Sequence, residues 1–271
     1  MKKKFWIWIA AFIALIAIFF VFAETFSGKL HIDPIVHLGF VEFRWYGIIL
    51  AAAILTSYSI ARKNSWKFGI AAETVDDYSF WVVLVSMLGA RVYHVLFNLD
   101  FYLNNLSEIY KIWHGGISIY GAVLAGLAFT FFYCRKKAFK FEQLFDLVAL
   151  SLPLGQAIGR LGNFVNQEAY GTVTDLPWKM YVVADRQFHH PTFLYEVVFD
   201  LILFCFLYRM VGKTKPAVLG LIYLGGYSFG RFFIEAIRID SFFVAGFRVD
   251  QITAFLLIVI SGVLILRKQS R

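Results

Sequence analysis

Charge is scarce in this chain. Only 16% of its 271 residues are Asp, Glu, Lys or Arg, and just 18 are acidic; a soluble domain uses about 25%. So little charge excludes an ordinary water-facing surface. Cysteine is nearly absent too. Cys134 and Cys205 lie in apolar stretches without CxxC spacing or a histidine in metal-ligand register, which excludes a disulfide framework and a thiolate metal site and leaves them as packing residues. The five prolines form no linker, and no low-complexity segment or internal repeat is detectable. HExxH, GxSxG and P-loop patterns are missing, so metalloprotease, serine hydrolase and nucleotide-driven readings have no support. No cofactor or metal is expected.

What fills the chain instead is apolar: 60% of residues are hydrophobic and mean hydropathy is +0.68. A bilayer core about 30 Å thick takes about 20 apolar residues per helix. The sequence predicts an all-α, polytopic integral membrane protein, with spans at 5–23, 43–61, 78–98, 116–134, 144–162, 193–210, 217–236 and 249–266. The first segment has a basic start, a long apolar run and a Val-Phe-Ala end that resembles a signal-peptide cleavage site; its length favours an uncleaved transmembrane or signal-anchor helix over a cleaved signal peptide. Two parts result: an extra N-terminal segment at 1–31 and a membrane domain at 32–271.

The formal net charge of +8 could point to nucleic acid, but the cations alternate between loops. Lys2, Lys3, Lys4, Arg62, Lys63, Lys67, Arg135, Lys136, Lys137, Lys140, Arg209, Lys213, Lys215, Arg267, Lys268 and Arg271 all fall on one side of the predicted spans. The positive-inside rule then puts both termini in the cytoplasm and the loops 24–42, 99–115, 163–192 and 237–248 outside. No nucleic-acid partner is implied.

Charges within spans cost on the order of 2.5–3.5 kcal/mol each unless paired or hydrated. Arg91, Arg160, Arg231 and Arg238 sit toward the outer ends of spans. For Arg91, in "GARVYHVLF", a structural pairing and a functional role are equally open. Arg160, Asn163 and Asn166 recur every three residues, so a continuing helix puts them on one face. Arg231, Glu235 and Arg238 thread a carboxylate between two guanidinium groups; alone, this could be an ion-pair ladder. Together the two clusters suit an anion, and at this depth the obvious one is a lipid phosphate, which arginine binds in a bidentate manner. Gly115 and Gly116, at the mouth of a span, suggest exposed backbone beside something bound. His190 in "HHPTFLYE" is a candidate base or relay. An anion transporter would also use intramembrane arginines, but it predicts repeated halves. A CDP-alcohol phosphotransferase would need clustered aspartates, which are missing.

These stretches together resemble the bacterial prolipoprotein diacylglyceryl transferase family. "GRLGNFVNQEAYG" at 159–171 is close to the family signature, and "RWYG" at 44–47, "GGISIYG" at 115–121, "HPTFLYE" at 190–196 and "GRFFIEAIR" at 230–238 follow in the family's order. The resemblance spans about residues 32–266. It implies seven family-type transmembrane helices, here with one added in front. It implies an enzyme of the bacterial cell membrane, with its site toward the outer leaflet, that moves the diacylglyceryl group of phosphatidylglycerol to the lipobox cysteine of a prolipoprotein. Phosphatidylglycerol, the lipobox segment and membrane lipids are the implied partners. By motif match, Arg160 binds the headgroup with Asn163, Glu168 and Gly171; Arg231 is the second essential guanidinium, Glu235 orients it, Arg238 lies nearby, and Tyr46 is close. Tyr120 stands where many members carry histidine. Tyrosine, with a pKa near 10, is a poor base at neutral pH, so the thiol proton needs another acceptor or none.

Overall fold

The computed structural model describes residues 19–39, 41–137 and 140–270. The predicted span at 5–23 and the lysines at 2–4 fall largely or wholly outside the described residues. The remainder is mostly helical. After α1, described over 19–26, come a two-stranded hairpin (β1, Ile35–Leu38; β2, Val41–Arg44), α2 (Trp45–Asn64), α3 (Ala72–Leu96), the short α4 (Leu99–Asn104), α5 (Ile119–Lys137) and α6 (Phe141–Asn166). A second hairpin (β3, Met180–Val182; β4, Gln187–His189), α7 (Thr192–Met210), α8 (Val218–Ile237), a third hairpin (β5, Phe243–Val244; β6, Phe247–Arg248) and α9 (Val249–Gln269) complete the chain. All three hairpins are antiparallel.

Among the described residues, four helical stretches, Trp45–Phe68, Ala72–Leu96, Phe141–Asn166 and Val249–Gln269, are long and apolar enough to cross a membrane. Helix α7 carries Glu196, Asp200 and Arg209, and α8 carries Arg231 and Glu235, charges set within otherwise strongly apolar helices. Helix α3 begins at Ala72, six residues before the predicted span. Its first turns hold Asp76 and Asp77, which a hydropathy reading rejects but which are satisfied locally: Asp76 accepts from Tyr58 Oη at 2.7 Å and Arg62 Nε at 2.8 Å, and Asp77 from Tyr133 Oη at 2.6 Å.

The chain forms two compact units. The first comprises Met1–Ser57, Leu152–Arg209 and Leu221–Arg271. Its apolar centre is Phe164, Met180, Val182 and Phe193, with Phe22 stacked on Phe164 at a centroid distance of 4.4 Å. Glycines let its helices approach: a Cβ on Gly226 would lie 2.9 Å from Leu203 Cδ1, and one on Gly230 would strike the Phe199 ring. Large apolar side chains such as Ile202, Phe229, Phe233 and Leu256 are exposed. Their number fits a lipid-facing exterior rather than a hydrated one.

The second unit comprises Tyr58–Ser151 and Met210–Gly220. Val75, Tyr78, Tyr133, Leu144 and Leu147 form its core. Helices α3 and α5 pack through Gly89, Gly121 and Gly126, where an added Cβ would collide with the facing helix. Asp146 accepts from the backbone N–H groups of Ala217 and Gly220, each at 2.7 Å, and so caps the start of α8.

The Arg91 guanidinium is buried in this unit and gathers a whole loop. Its Nε donates to Ile109 O at 2.8 Å, its Nη1 to both Gly115 O and Gly116 O at 2.6 Å, and its Nη2 to Glu108 O and, at 3.4 Å, Lys111 O. Gly115 and Gly116 have φ of 91° and 76°. A Cβ on Gly116 would sit 2.8 Å from Arg91 Nη1 and His94 Nε2, so the pair must be glycine for the loop to wrap the arginine. Tyr120, half-exposed in the first turn of α5, has its ring 6.3 Å from that of Tyr93.

Candidate active site

In the first unit, α6 brings Arg160, Asn163 and Asn166 round to one face, as their spacing predicts, and ends at Asn166. The chain then reverses through Gln167 and Ala169, both at positive φ. Glu168 folds back, its Oε1 accepting from Asn163 Nδ2 at 2.9 Å and Asn166 Nδ2 at 3.3 Å. The two asparagines are thus locked onto one carboxylate. The Gln167 amide pins the second hairpin, accepting from Val183 N at 2.9 Å and donating to Tyr181 O at 3.3 Å. The Tyr46 ring lies against Gly162, where a Cβ would meet it at 2.6 Å.

Gly171 closes the segment. It bridges antiparallel to Arg238, with Thr172 N donating to Ile237 O at 2.8 Å. A Cβ there would lie 2.9 Å from His190 Cβ and 3.0 Å from Ile237 O. Glycine is needed because two backbones and a side chain converge. His189, buried, makes ring-nitrogen contacts of 2.7 Å to Gly171 O and 2.6 Å to Asp185 Oδ2. His190 Nδ1 is 3.1 Å from Tyr195 Oη, which also accepts from Trp178 Nε1 at 2.7 Å.

The centre of the arrangement is Glu196, which sequence reasoning named only as part of a motif. Its buried carboxylate is shared by three guanidinium groups: Arg160 through Nη2, Arg231 through Nη1 at 3.0 Å and Arg238 through Nη1 at 3.2 Å. Those cations come from the end of α6, from α8 and from the residue just past α8. Glu235 Oε2 lies 2.6 Å from Arg231 Nη2 and 3.8 Å from Arg238 Nε, so the predicted carboxylate does sit between two guanidinium groups. Arg238 itself lies one residue beyond the helix, not on it.

The donors are unequally committed. A guanidinium has five N–H bonds to give. Arg238 spends Nε and Nη2 on Asp240, at 2.8 and 2.5 Å, and Nη1 on Glu196. Burial opposes ionisation of Asp240, but that two-point bond outweighs it and holds the carboxyl below the usual range. Arg231 divides itself among Glu196, Glu235 and Asp250. Arg160 is the most available. Besides Glu196 it makes, among the described residues, two long hydrogen bonds, to Asn163 Oδ1 and Tyr227 Oη at 3.4 Å each, and its side chain is 22% exposed. An arginine with spare donors beside a fixed charge network can take an anion without dismantling the network.

Arg248 escaped the sequence reading. Its Nη1 donates to Arg238 O at 2.8 Å, to Ser241 Oγ at 2.9 Å and to Glu235 O, so it caps the C-terminal end of α8. A lone arginine before a helix gives no spacing signal. Gly115, Gly116 and Tyr120 belong to the second unit, as described above.

Comparison with known proteins places the chain among named relatives. Residues 34–267 match the family model for prolipoprotein diacylglyceryl transferase. A Fervidobacterium nodosum protein named phosphatidylglycerol–prolipoprotein diacylglyceryl transferase is 45% identical over 91% of this chain and 89% of its own length. Proteins of the same name from Thermotoga petrophila and Listeria monocytogenes serotype 4a are each 40% identical, over 96% of both chains in the first case and over 89% of this chain and 92% of the relative in the second. The length of the family match and the identity of these relatives show that the chain belongs to the prolipoprotein diacylglyceryl transferase family.

Proposed function

We propose that this chain transfers the diacylglyceryl group of phosphatidylglycerol to the thiol of a prolipoprotein's lipobox cysteine and releases glycerol phosphate. The observation that carries the reading is the Glu196 network, in which three arginines from the matched motifs converge and one, Arg160, keeps donors to spare. Transfer forms a carbon–sulfur bond at the glyceryl carbon as its carbon–oxygen bond to phosphate breaks. Arg160 holds the phosphate, and Arg231, positioned by Glu196 and Glu235, faces the charge that grows on the leaving oxygen. Asn163, Asn166 and Glu168 shape the headgroup side, and Gly171 fixes where their segment meets Arg238.

Tyr46 is assigned to the same site by its contact with Gly162. His190, held beside Tyr195, is assigned to the outer rim. Gly115, Gly116 and Tyr120 enter by motif match, Tyr120 as a hydrogen-bond donor. The protein is read as a multi-pass protein of the bacterial cytoplasmic membrane, with seven family-type helices plus one in front. Both termini are read as cytoplasmic and the site as lying toward the outer leaflet.

The test is incubation of purified protein with phosphatidylglycerol and a lipobox peptide. Glycerol phosphate release matched by a diacylglyceryl mass gain on the peptide is expected. Neither signal from folded protein, with an active relative working alongside, would overturn the reading.

A further inference from the structure

Asp200 lies on α7 one helical turn below Glu196 and is 1% exposed. Its Oδ2 is fully buried and has no hydrogen-bond partner, and no cation forms an ion pair with it among the described residues. A carboxyl placed this way inside a membrane helix is costly, and such groups persist where they serve a site. The titratable and charged groups around it are Glu196 on α7, Arg160 on α6, and Tyr223 and Tyr227 on α8. Tyr227 Oη accepts from Arg160, and Tyr223 donates to Gln156 Oε1 at 3.0 Å. Asp200 thus adjoins the guanidinium network without being consumed by it.

We propose that Asp200 accepts the proton of the lipobox thiol. The proposal rests on the reading of function above and names the acceptor that Tyr120 does not supply. In the step, the S–H bond breaks and its proton passes to the Asp200 carboxylate. The sulfur forms its bond to the glyceryl carbon, and the carbon–oxygen bond breaks with its electron pair leaving on glycerol phosphate. No oxidant, reductant or further reactant is involved.

Charge counting supports an acceptor at this position. The interior of the site holds three guanidinium groups, Arg160, Arg231 and Arg238, against three buried carboxyls, Glu196, Glu235 and Asp200. Asp240 and Asp250 are 46% and 35% exposed at their side chains and face the wetter rim. During transfer the phosphate gains one negative charge as Asp200 loses one. The interior charge is unchanged across the step, which a low-dielectric site favours strongly over releasing a net charge. Glu196 and Glu235 cannot serve equally well, because protonating either one removes an ion-pair partner from the arginines.

The experiment compares wild type, Asp200→Asn and Asp200→Glu for glycerol phosphate release and peptide mass gain across pH 5–9, with thermal unfolding to confirm that each variant folds. For D200N, kcat should fall about 100-fold at neutral pH, within the range for a positioned proton acceptor, with the KM for phosphatidylglycerol unchanged. The acid limb of the wild-type profile should vanish, leaving a rate that climbs with ionisation of the free thiol near pH 8.5. D200E should recover part of the rate, and a lipobox peptide with selenocysteine, already ionised at neutral pH, should recover most of it in D200N. A wild-type rate and profile in D200N, or an equal deficit with thiol and selenol, would overturn the role of Asp200 alone. No transfer by wild type would overturn the functional reading with it.

Discussion

The Glu196 carboxylate accepts from Nη1 of Arg231 at 3.0 Å, across from α7 to α8, and the same carboxylate is shared with Arg160 and Arg238. Removing that buried charge leaves three guanidinium groups with a deficit. Glu196→Gln should cost about 3–5 kcal/mol, as for a broken buried ion pair, and lower the Tm in detergent by on the order of 10 °C. A Tm within a degree or two of wild type would show that the network does not depend on this residue.

Arg160 has a different balance of duties. Because two of its contacts are long and it keeps donors to spare, Arg160→Ala should abolish transfer, a loss of at least about 100-fold in kcat/KM, while far-UV circular dichroism and Tm change little. Arg160→Lys should recover little, since a single ammonium cannot make the two-point contact. Near-normal transfer by the alanine variant would remove Arg160 from the headgroup site.

Much of this was readable in advance, and the exceptions have physical causes. The i, i+3 recurrence of Arg160, Asn163 and Asn166 is local, so it survives translation into structure, and the apolar runs at 193–210 and 217–236 became α7 and α8 within a residue at each end. Glu196 was not legible as the hub because its partners come from other segments and share no spacing with it. The early start of α3 was hidden by Asp76 and Asp77, whose charges are answered by Tyr58, Arg62 and Tyr133. For Arg91, the sequence offered a helix or a site as partner, whereas the residue it serves is the backbone of its own following loop.

That loop makes an independent prediction. Arg91→Ala should release residues 106–116 to added protease at least several-fold faster than wild type. Gly116→Ala, which places a methyl 2.8 Å from Arg91 Nη1 at φ 76°, should do the same. Unchanged cleavage of both variants would show that the loop holds itself.

The same loop should respond to acid. Glu108 accepts from Lys111 Nζ at 2.6 Å and pairs with His114 Nδ1 at 2.7 Å; these contacts hold its carboxyl below the ordinary value, and Glu108 in turn raises Lys111. A depressed carboxyl stabilises above its unfolded pKa of about 4.3 and loses that contribution as pH falls through the folded value. The raised lysine stabilises below about 10.4 and loses its share as pH rises through its folded value. Proteolysis of 106–116 should therefore be slowest between those limits and quicken below about pH 4. In Glu108→Gln the acid-side change should disappear; a variant that keeps it would place the titrating group elsewhere.

Along α8, Phe229 and Phe233 point outward while Arg231 and Glu235 are drawn inward. A map of tolerated substitutions on this helix would be inverted relative to one from a water-soluble protein. At Phe229 and Phe233 one greasy side chain should replace another silently and lysine should be rejected, whereas at Glu235 leucine should be rejected and only a carboxylate retained. Selection on such a helix preserves polarity inside and permits drift outside, so the positions that vary most freely are its most hydrophobic ones.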